Sequence, residues 1–270
     1  MSLLRCFARS VAALAIAGAA TAAMVAGANA QSAPAEPAAA ACTAPAELVR
    51  LQDPLKRVAK KLASGTPMTI VAIGSSSTFG AGASSPDKSY PSRLAVELKA
   101  LWPRVEVTVL NRGVNGEEAN NMLARFDRDV FASHPDLVLW QAGSNSVLRD
   151  RPLKEANAPL HEGLKRLREV STDVVLINPQ YAPKVLAKHE IDSMVDLMDL
   201  TAKQTSVDLF QRFAIMRYWR LTENMPFTQF ISPDGLHMND WGYGCLAKLL
   251  ASAINEAATR STVTATAIRR

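Results

Sequence analysis

Three consecutive hydroxyls, Ser75-Ser76-Ser77, stand directly after Gly74 and just before Thr78. Far along the chain, Asp234 precedes His237 by three residues in the run Ser232-Pro233-Asp234-Gly235-Leu236-His237. Between them lie Asn111-Arg112-Gly113-Val114-Asn115-Gly116 and Gly143-Ser144-Asn145-Ser146. A hydroxyl, an imidazole and a carboxylate are the parts of a nucleophilic acyl-transfer site, and glycine-rich backbone with a carboxamide can supply oxyanion donors. An Asp three residues before a His can share one turn with it, placing the carboxylate beside one ring nitrogen. Each cluster alone has a plainer reading. Turn hydroxyls bond to nearby backbone, an Asn caps a helix, glycines make turns, and a His sits on the surface. The decision rests on the elements that carry them.

Those elements alternate. Ile70 to Ile73 is an apolar, mostly β-branched run with no polar face, the habit of a strand buried on both sides in a parallel sheet. The full strand spans 68–73, and further strands are expected at 105–110, 137–141, 174–177 and 207–210. Helical spacing marks 46–63, 91–101, 117–131, 153–170, 189–203 and 211–219, with a closing helix from about Asn239 to Ala257. Pro91 suits a first helical turn. The alternation predicts an α/β fold with a parallel sheet, right-handed crossovers and helices on both faces. In such a sheet the segments after the first three strands share one edge, where open α/β sheets bind ligands. The Ser75–Ser77, Asn111–Gly116 and Gly143–Asn145 clusters all stand there. The residues alone do not choose among Ser75, Ser76 and Ser77.

The ends of the chain speak to location. Arg5 and Arg9 precede an uninterrupted small and apolar stretch from Val11 to Ala28, and Ala28-Asn29-Ala30 makes a small-x-small cleavage site. Residues 1–30 therefore read as a secretory signal peptide cut after Ala30, which implies a periplasmic or secreted protein without stable membrane insertion. Residues 31–45 are an Ala/Pro-rich lead-in, 46–257 one domain, and 258–270 a flexible polar tail. Losing Arg5 and Arg9 and no acids lowers the formal charge from +5 to +3. With no long basic run, this argues against a nucleic-acid partner. Cys42 and Cys245 survive signal removal, an even count that makes a disulfide between them the expectation in an oxidising compartment. His134, His161, His189 and His237 do not cluster, and no cysteine has metal-site spacing, so no metal is expected.

Four blocks, in order, resemble those of the SGNH hydrolases of the GDSL-like esterase superfamily, across Met68 to Ala257. Gly74-Ser75-Ser76 resembles the family's Gly-Asp-Ser block and implies Ser76 as nucleophile. Asn111 to Gly116 resembles Asn-x-x-x-x-Gly, implying the Gly116 amide, with that of Ser76, as an oxyanion donor. Gly143-Ser144-Asn145 resembles Gly-x-Asn, implying the Asn145 carboxamide as another. Asp234 and His237 match Asp-x-x-His, the most specific of the four, implying the orienting acid and the base. The resemblance implies a three-layer α/β/α sandwich with a five-stranded parallel sheet and no cofactor. Two positions depart from the pattern: Ser75 stands where Asp is usual, and so does Ser146.

Competing readings are weaker. No window pairs Gly-x-Ser-x-Gly with a suitable strand, as an α/β-hydrolase elbow requires. The Gly74–Gly82 turn lacks a P-loop's Lys-Ser/Thr and the dinucleotide spacing. A non-catalytic envelope-binding protein on the same fold, or an acyltransferase to a sugar hydroxyl, are the alternatives to an esterase. The loops 84–90, 178–183 (with Tyr181 as the candidate substrate-binding aromatic) and 222–231 are expected around the site. None has a long apolar stretch suited to a fatty chain, so short acyl groups such as O-acetyl on a small-molecule or polysaccharide carbohydrate are the expected substrate.

Overall fold

The computed structural model describes residues 41–267, with side chains to residue 260. The expected signal peptide and most of the Ala/Pro-rich lead-in lie outside the described residues. From Cys42 onward the chain forms one unit.

Five strands form the sheet: β1 Met68–Gly74, β2 Val107–Gly113, β3 Leu137–Gln141, β4 Asp173–Ile177 and β5 Asp208–Phe210. All pairings are parallel, in the order β2-β1-β3-β4-β5. Strand β1, apolar from Ile70 to Ile73, lies between β2 and β3, which explains the lack of a polar face there. The chain leaves β1 toward β2 and returns on the other side to β3, so the order reverses beside the end of β1. That crevice is where doubly wound sheets place ligands. Helices Lys56–Ser64, Tyr90–Leu101 and Asp240–Ala267 pack together on one face, and Ala119–Ala124, Leu153–Glu169 and Ile191–Thr205 on the other. The three-layer α/β/α architecture expected from the sequence is the one observed.

Several boundaries differ from expectation, each for a local reason. The helix expected over 46–63 is two pieces, Ala46–Val49 and Lys56–Ser64, because Pro54 cannot continue a helix. The helix expected over 117–131 breaks at Arg125, whose backbone leaves helical geometry. The buried Arg125 guanidinium reaches back to the carbonyls of Arg112 (2.8 Å) and Gly74 (3.3 Å), at the ends of β2 and β1. Glu117 and Asp129 pair with it, at 2.7 and 2.8 Å. Strand β2 runs on through Asn111 to Gly113, farther than its apolar residues indicate, because Gly113 pairs in register with Gly74. The closing helix continues past Ala257 to Ala267, where a flexible tail was expected.

Candidate active site

Ser76 opens a one-turn helix, Ser76–Phe79, directly after β1. Ser75 remains extended, and its buried hydroxyl and N–H both donate to Gln141 Oε1, at 2.9 and 3.0 Å. Thr78 donates to the same oxygen at 3.3 Å, and Ser77 is also buried. Of the three serines, Ser76 is the one whose Oγ meets the imidazole, 2.8 Å from His237 Nε2. The ambiguity left by residue type is therefore removed by strand pairing, which turns Ser75 inward onto β3.

His237 Nδ1 lies 2.5 Å from Asp234 Oδ2. The other carboxylate oxygen, Oδ1, accepts from Ser232 Oγ (2.8 Å) and the amides of Leu236 (2.8 Å) and His237 (2.9 Å). Partial burial works against ionisation of Asp234, but the His237 ring, the two amides and Ser232 outweigh it and hold the carboxyl well below its usual range. With Nδ1 protonated and donating to this carboxylate, Nε2 is left free to accept the Ser76 proton. Gly82, at φ +86°, lets the chain after the Ser76 turn lie against this loop; a Cβ there would sit 2.7 Å from His237 Cβ and 2.6 Å from the Met238 carbonyl.

The other two predicted donors follow β2 and β3, the strands on either side of β1. Gly116 takes φ +77°, in the region that favours glycine, within the irregular segment between β2 and helix Ala119–Ala124. Neither the Ser76 nor the Gly116 N–H donates to another protein group among the described residues. Asn145 lies in the helix Ser144–Leu148 after β3, and its Nδ2 donates to the Glu117 carbonyl at 2.8 Å, leaving a second amide hydrogen. Two N–H groups and a carboxamide beside a hydroxyl–imidazole–carboxylate relay can add an oxygen nucleophile to a carbonyl and stabilise the resulting anion.

The two departures from the family pattern have structural accounts. Ser75 is part of the buried Gln141 network. Ser146 donates to Glu118 Oε2 at 3.2 Å, so a carboxylate reaches this position from the neighbouring loop instead of from residue 146 itself.

Tyr181 sits in an aromatic cluster. Its ring packs against Phe213 (centroids 5.1 Å apart) and Phe227 (6.1 Å), because the apolar ring finds a partly buried aromatic cluster. The cleft it lines, about 410 Å³, has no contribution from Ser76, Asp234 or His237. Its neighbour Gln180 is the side chain that reaches the site: Nε2 donates to the Leu236 carbonyl (3.2 Å), while Oε1 accepts from Ser144 (2.7 Å) and Arg212 (3.0 Å). Arg212 is fully buried, also donates to the Asn178 carbonyl (2.8 Å), and burial lowers its pKa to about 10. Gln141, Gln180 and Arg212 were missed from sequence; the available signal was polar residues ending or following otherwise apolar buried runs. Loop 84–90 is anchored by Ser84, which donates to Asp240 through its N–H (2.8 Å) and hydroxyl (2.5 Å).

Cys42 and Cys245 form a disulfide that ties the start of the described chain to the closing helix. Among the described residues, no group of three or more His, Cys, Asp and Glu side chains is placed to hold a metal. No described helix is long and apolar enough to cross a membrane.

Comparison with known proteins shows what the chain is similar to. The model of the Non-GDSL lipase-like family matches residues 41–260. An arylesterase of Vibrio mimicus is 27% identical over 168 residues, covering 62% of this chain and 79% of that protein. An acetylxylan esterase of Geobacillus stearothermophilus is 31% identical over 112 residues, covering 38% of this chain but only 49% of its relative. Among solved structures, a two-domain esterase active on acetylated mannans shares the fold with a TM-score of 0.65 at 17% identity. That match covers 78% of this chain and spans 56% of the two-domain protein. The acetylxylan esterase Axe2 of Geobacillus stearothermophilus superposes with a TM-score of 0.58 at 21% identity, over 69% of this chain and 94% of that one. The chain belongs to the Non-GDSL lipase-like family, and is an SGNH/GDSL-like hydrolase acting on carboxylic esters.

Proposed function

We propose that this chain is an exported serine esterase that removes short acyl groups, O-acetyl above all, from carbohydrate. The observation that carries the reading is the continuous relay from Ser76 Oγ through His237 to Asp234, with links of 2.8 and 2.5 Å, at the sheet's switch point.

In the first half-reaction Ser76 Oγ bonds to the ester carbonyl carbon while His237 Nε2 takes its proton. The carbonyl oxygen becomes an oxyanion facing the N–H groups of Ser76 and Gly116 and the Asn145 carboxamide. The carbon–alkoxy bond then breaks, and the leaving alcohol receives the proton from His237. In the second half, water attacks the acyl–Ser76 ester, His237 takes the water proton, and the acid leaves as Ser76 recovers its own. Asp234 keeps its charge throughout and orients the ring.

The substrate class is supported by the relatives. Relatives carry the names acetylxylan esterase and arylesterase, and a structural neighbour acts on acetylated mannans. Export through the 1–30 segment, with cleavage after Ala30, is supported by the Cys42–Cys245 disulfide, a bond favoured in oxidising compartments.

The test is hydrolysis of p-nitrophenyl esters from acetyl to palmitoyl, with acetate release from acetylated xylan and mannan, by wild type and Ser76→Ala. Turnover concentrated on acetyl esters and abolished in the variant is the expected result. Preference for long chains overturns the substrate assignment, and Ser76→Ala turnover equal to wild type overturns the mechanism.

A further inference from the structure

The segment from Val114 to Glu118 has no regular secondary structure, yet on the reading above it must present the Gly116 N–H at a fixed place. A glycine at positive φ in an irregular loop is costly to order, at about 1–2 kcal/mol of backbone entropy per residue. The backbone supplies only Glu117 N–H to the Val114 carbonyl (3.4 Å) and Val114 N–H to the Gly74 carbonyl (3.0 Å), so side chains from outside must hold the rest.

Two side chains from the polypeptide after β3 do so. Asn145 Nδ2 donates to the Glu117 carbonyl at 2.8 Å, and Arg149 Nη2 donates to the Gly116 carbonyl at 2.7 Å. They are four residues apart, and the Arg149 N–H donates to the Asn145 carbonyl at 3.0 Å, so both side chains leave one face of the same helical turn. Two successive carbonyls of the loop are thus gripped from one side, which stops the peptide planes on either side of Glu117 from rotating.

The guanidinium is itself held. Its Nη1 donates to Glu118 Oε1 at 2.7 Å, and Arg151 Nε stands 3.6 Å from the same oxygen. The other oxygen of Glu118 accepts from Ser146, and the Glu118 side chain also caps helix Ala119–Ala124 in a reciprocal box with Asn121. Glu118 therefore joins three things: the helix that ends the loop, the turn that carries Asn145, and the arginine that holds Gly116. A Cβ on Gly116 would approach Arg149 Nη2 to 3.4 Å, which shows how closely the arginine lies over this residue.

We propose that Arg149, paired with Glu118, is a positioning residue that preorganises the Gly116 N–H for the developing oxyanion. This rests on the acyl-transfer reading of the Ser76 site. Arg149 does not touch the ester; it acts through the loop. Preorganised donors lower the barrier because they need not reorient as charge develops. Loss of the brace therefore slows the chemical step and leaves ground-state binding alone.

The experiment is steady-state hydrolysis of p-nitrophenyl acetate by wild type, Arg149→Met, Arg149→Lys and Glu118→Gln, with thermal midpoints for each. Arg149→Met is expected to lower kcat by roughly ten- to a hundred-fold. Its KM should stay within about twofold and its thermal midpoint near wild type, since the side chain lies at the surface with 44% exposed. Added guanidinium ion should restore part of the lost kcat, and Arg149→Lys should fall in between because ammonium cannot span both oxygens in the same fork. An unchanged kcat overturns the proposal. So does a raised KM at constant kcat, which would make Arg149 a substrate contact, or a loss that tracks a lowered midpoint and is not rescued. Should Arg149→Met fold poorly, Glu118→Gln keeps the Ser146 bond and removes the charge; a several-fold lower kcat at unchanged KM supports the brace, and an unchanged kcat overturns it. Wild type inactive on every ester would remove the esterase reading and the brace with it, whereas an active wild type with a silent variant removes the brace alone.

Discussion

Both edges of the sheet use a carboxylate that grips two successive backbone amides, but they use it to opposite ends. At the N-terminal edge, Asp208 Oδ1 accepts from the amides of Gln52 (2.6 Å) and Asp53 (3.0 Å), and Asp173 Oδ2 from those of Arg57 and Val58 (2.9 Å each). At the C-terminal edge, Asp234 Oδ1 accepts from Leu236 and His237 and adds Ser232, while Oδ2 meets the imidazole. Burial raises the carboxyl pKa of Asp173 and Asp208, and their amide bonds only partly offset it. Burial acts in the same direction on Asp234, yet its larger set of donors wins and the pKa falls. The same local motif thus yields a structural clamp where water is excluded and only amides donate. It yields a carboxylate whose pKa is lowered where a hydroxyl and an imidazole join in and solvent is nearer.

The sharpest way to break this comparison is Asp234→Asn. If the charge at Oδ2 is what distinguishes the C-terminal edge, kcat for an acetyl ester should drop by about 10³- to 10⁴-fold with the fold retained, as read by rates and circular dichroism. A loss under tenfold would mean that the carboxylate is a clamp here too. Next, Asn145→Ala should cost roughly 10²- to 10³-fold in kcat at near-constant KM, because it removes a proposed oxyanion donor and one of the two grips on the 114–118 loop. Asp208→Ala should do the reverse. It leaves the Gln52 and Asp53 amides without their acceptor, so urea titration should show about 1–3 kcal/mol of lost stability while kcat stays at the wild-type value.

The smallest effect sharpens the comparison through pH. Asp173 and Asp208 hold a proton more tightly folded than unfolded. Their favourable contribution is therefore present at and below the ordinary carboxyl pKa, near 4, and is lost as pH climbs through the raised folded values. Asp234 has the opposite sign: its contribution is full above that ordinary value and is lost as pH falls from it through the lowered folded value. The stability difference between wild type and Asp208→Asn, measured from pH 4 upward, should therefore shift against wild type by about 1 kcal/mol or less. A difference that moves the other way would show that the amide bonds outweigh burial at that edge.

Much of the architecture was legible because it follows from one-dimensional patterns. Apolar runs without alternation marked strands buried on both faces, and helical spacing between them marked the crossovers. The four blocks after the strands and before the closing helix held every residue of the proposed relay and oxyanion site. Two kinds of feature were hidden. Breaks at Pro54 and Arg125 interrupt patterns that look continuous, the second because a buried arginine answers carbonyls on strands distant in sequence. The packing of Tyr181 against Phe213 and Phe227, which lie 32 and 46 positions away, was also hidden.

By itself the sequence determined the class of fold, the number of strands and the short list of groups able to do acyl-transfer chemistry, because hydropathy period and side-chain type are local properties. Only the tertiary structure decided which serine of three faces the imidazole, because that depends on Gln141 of β3 drawing Ser75 inward. It likewise decided which carboxyl pKa is lowered and which arginine bonds the Gly116 carbonyl. A pKa and a loop conformation are both set by partners that chain distance does not reveal: 161 residues separate Ser76 from His237, and 33 separate Gly116 from Arg149.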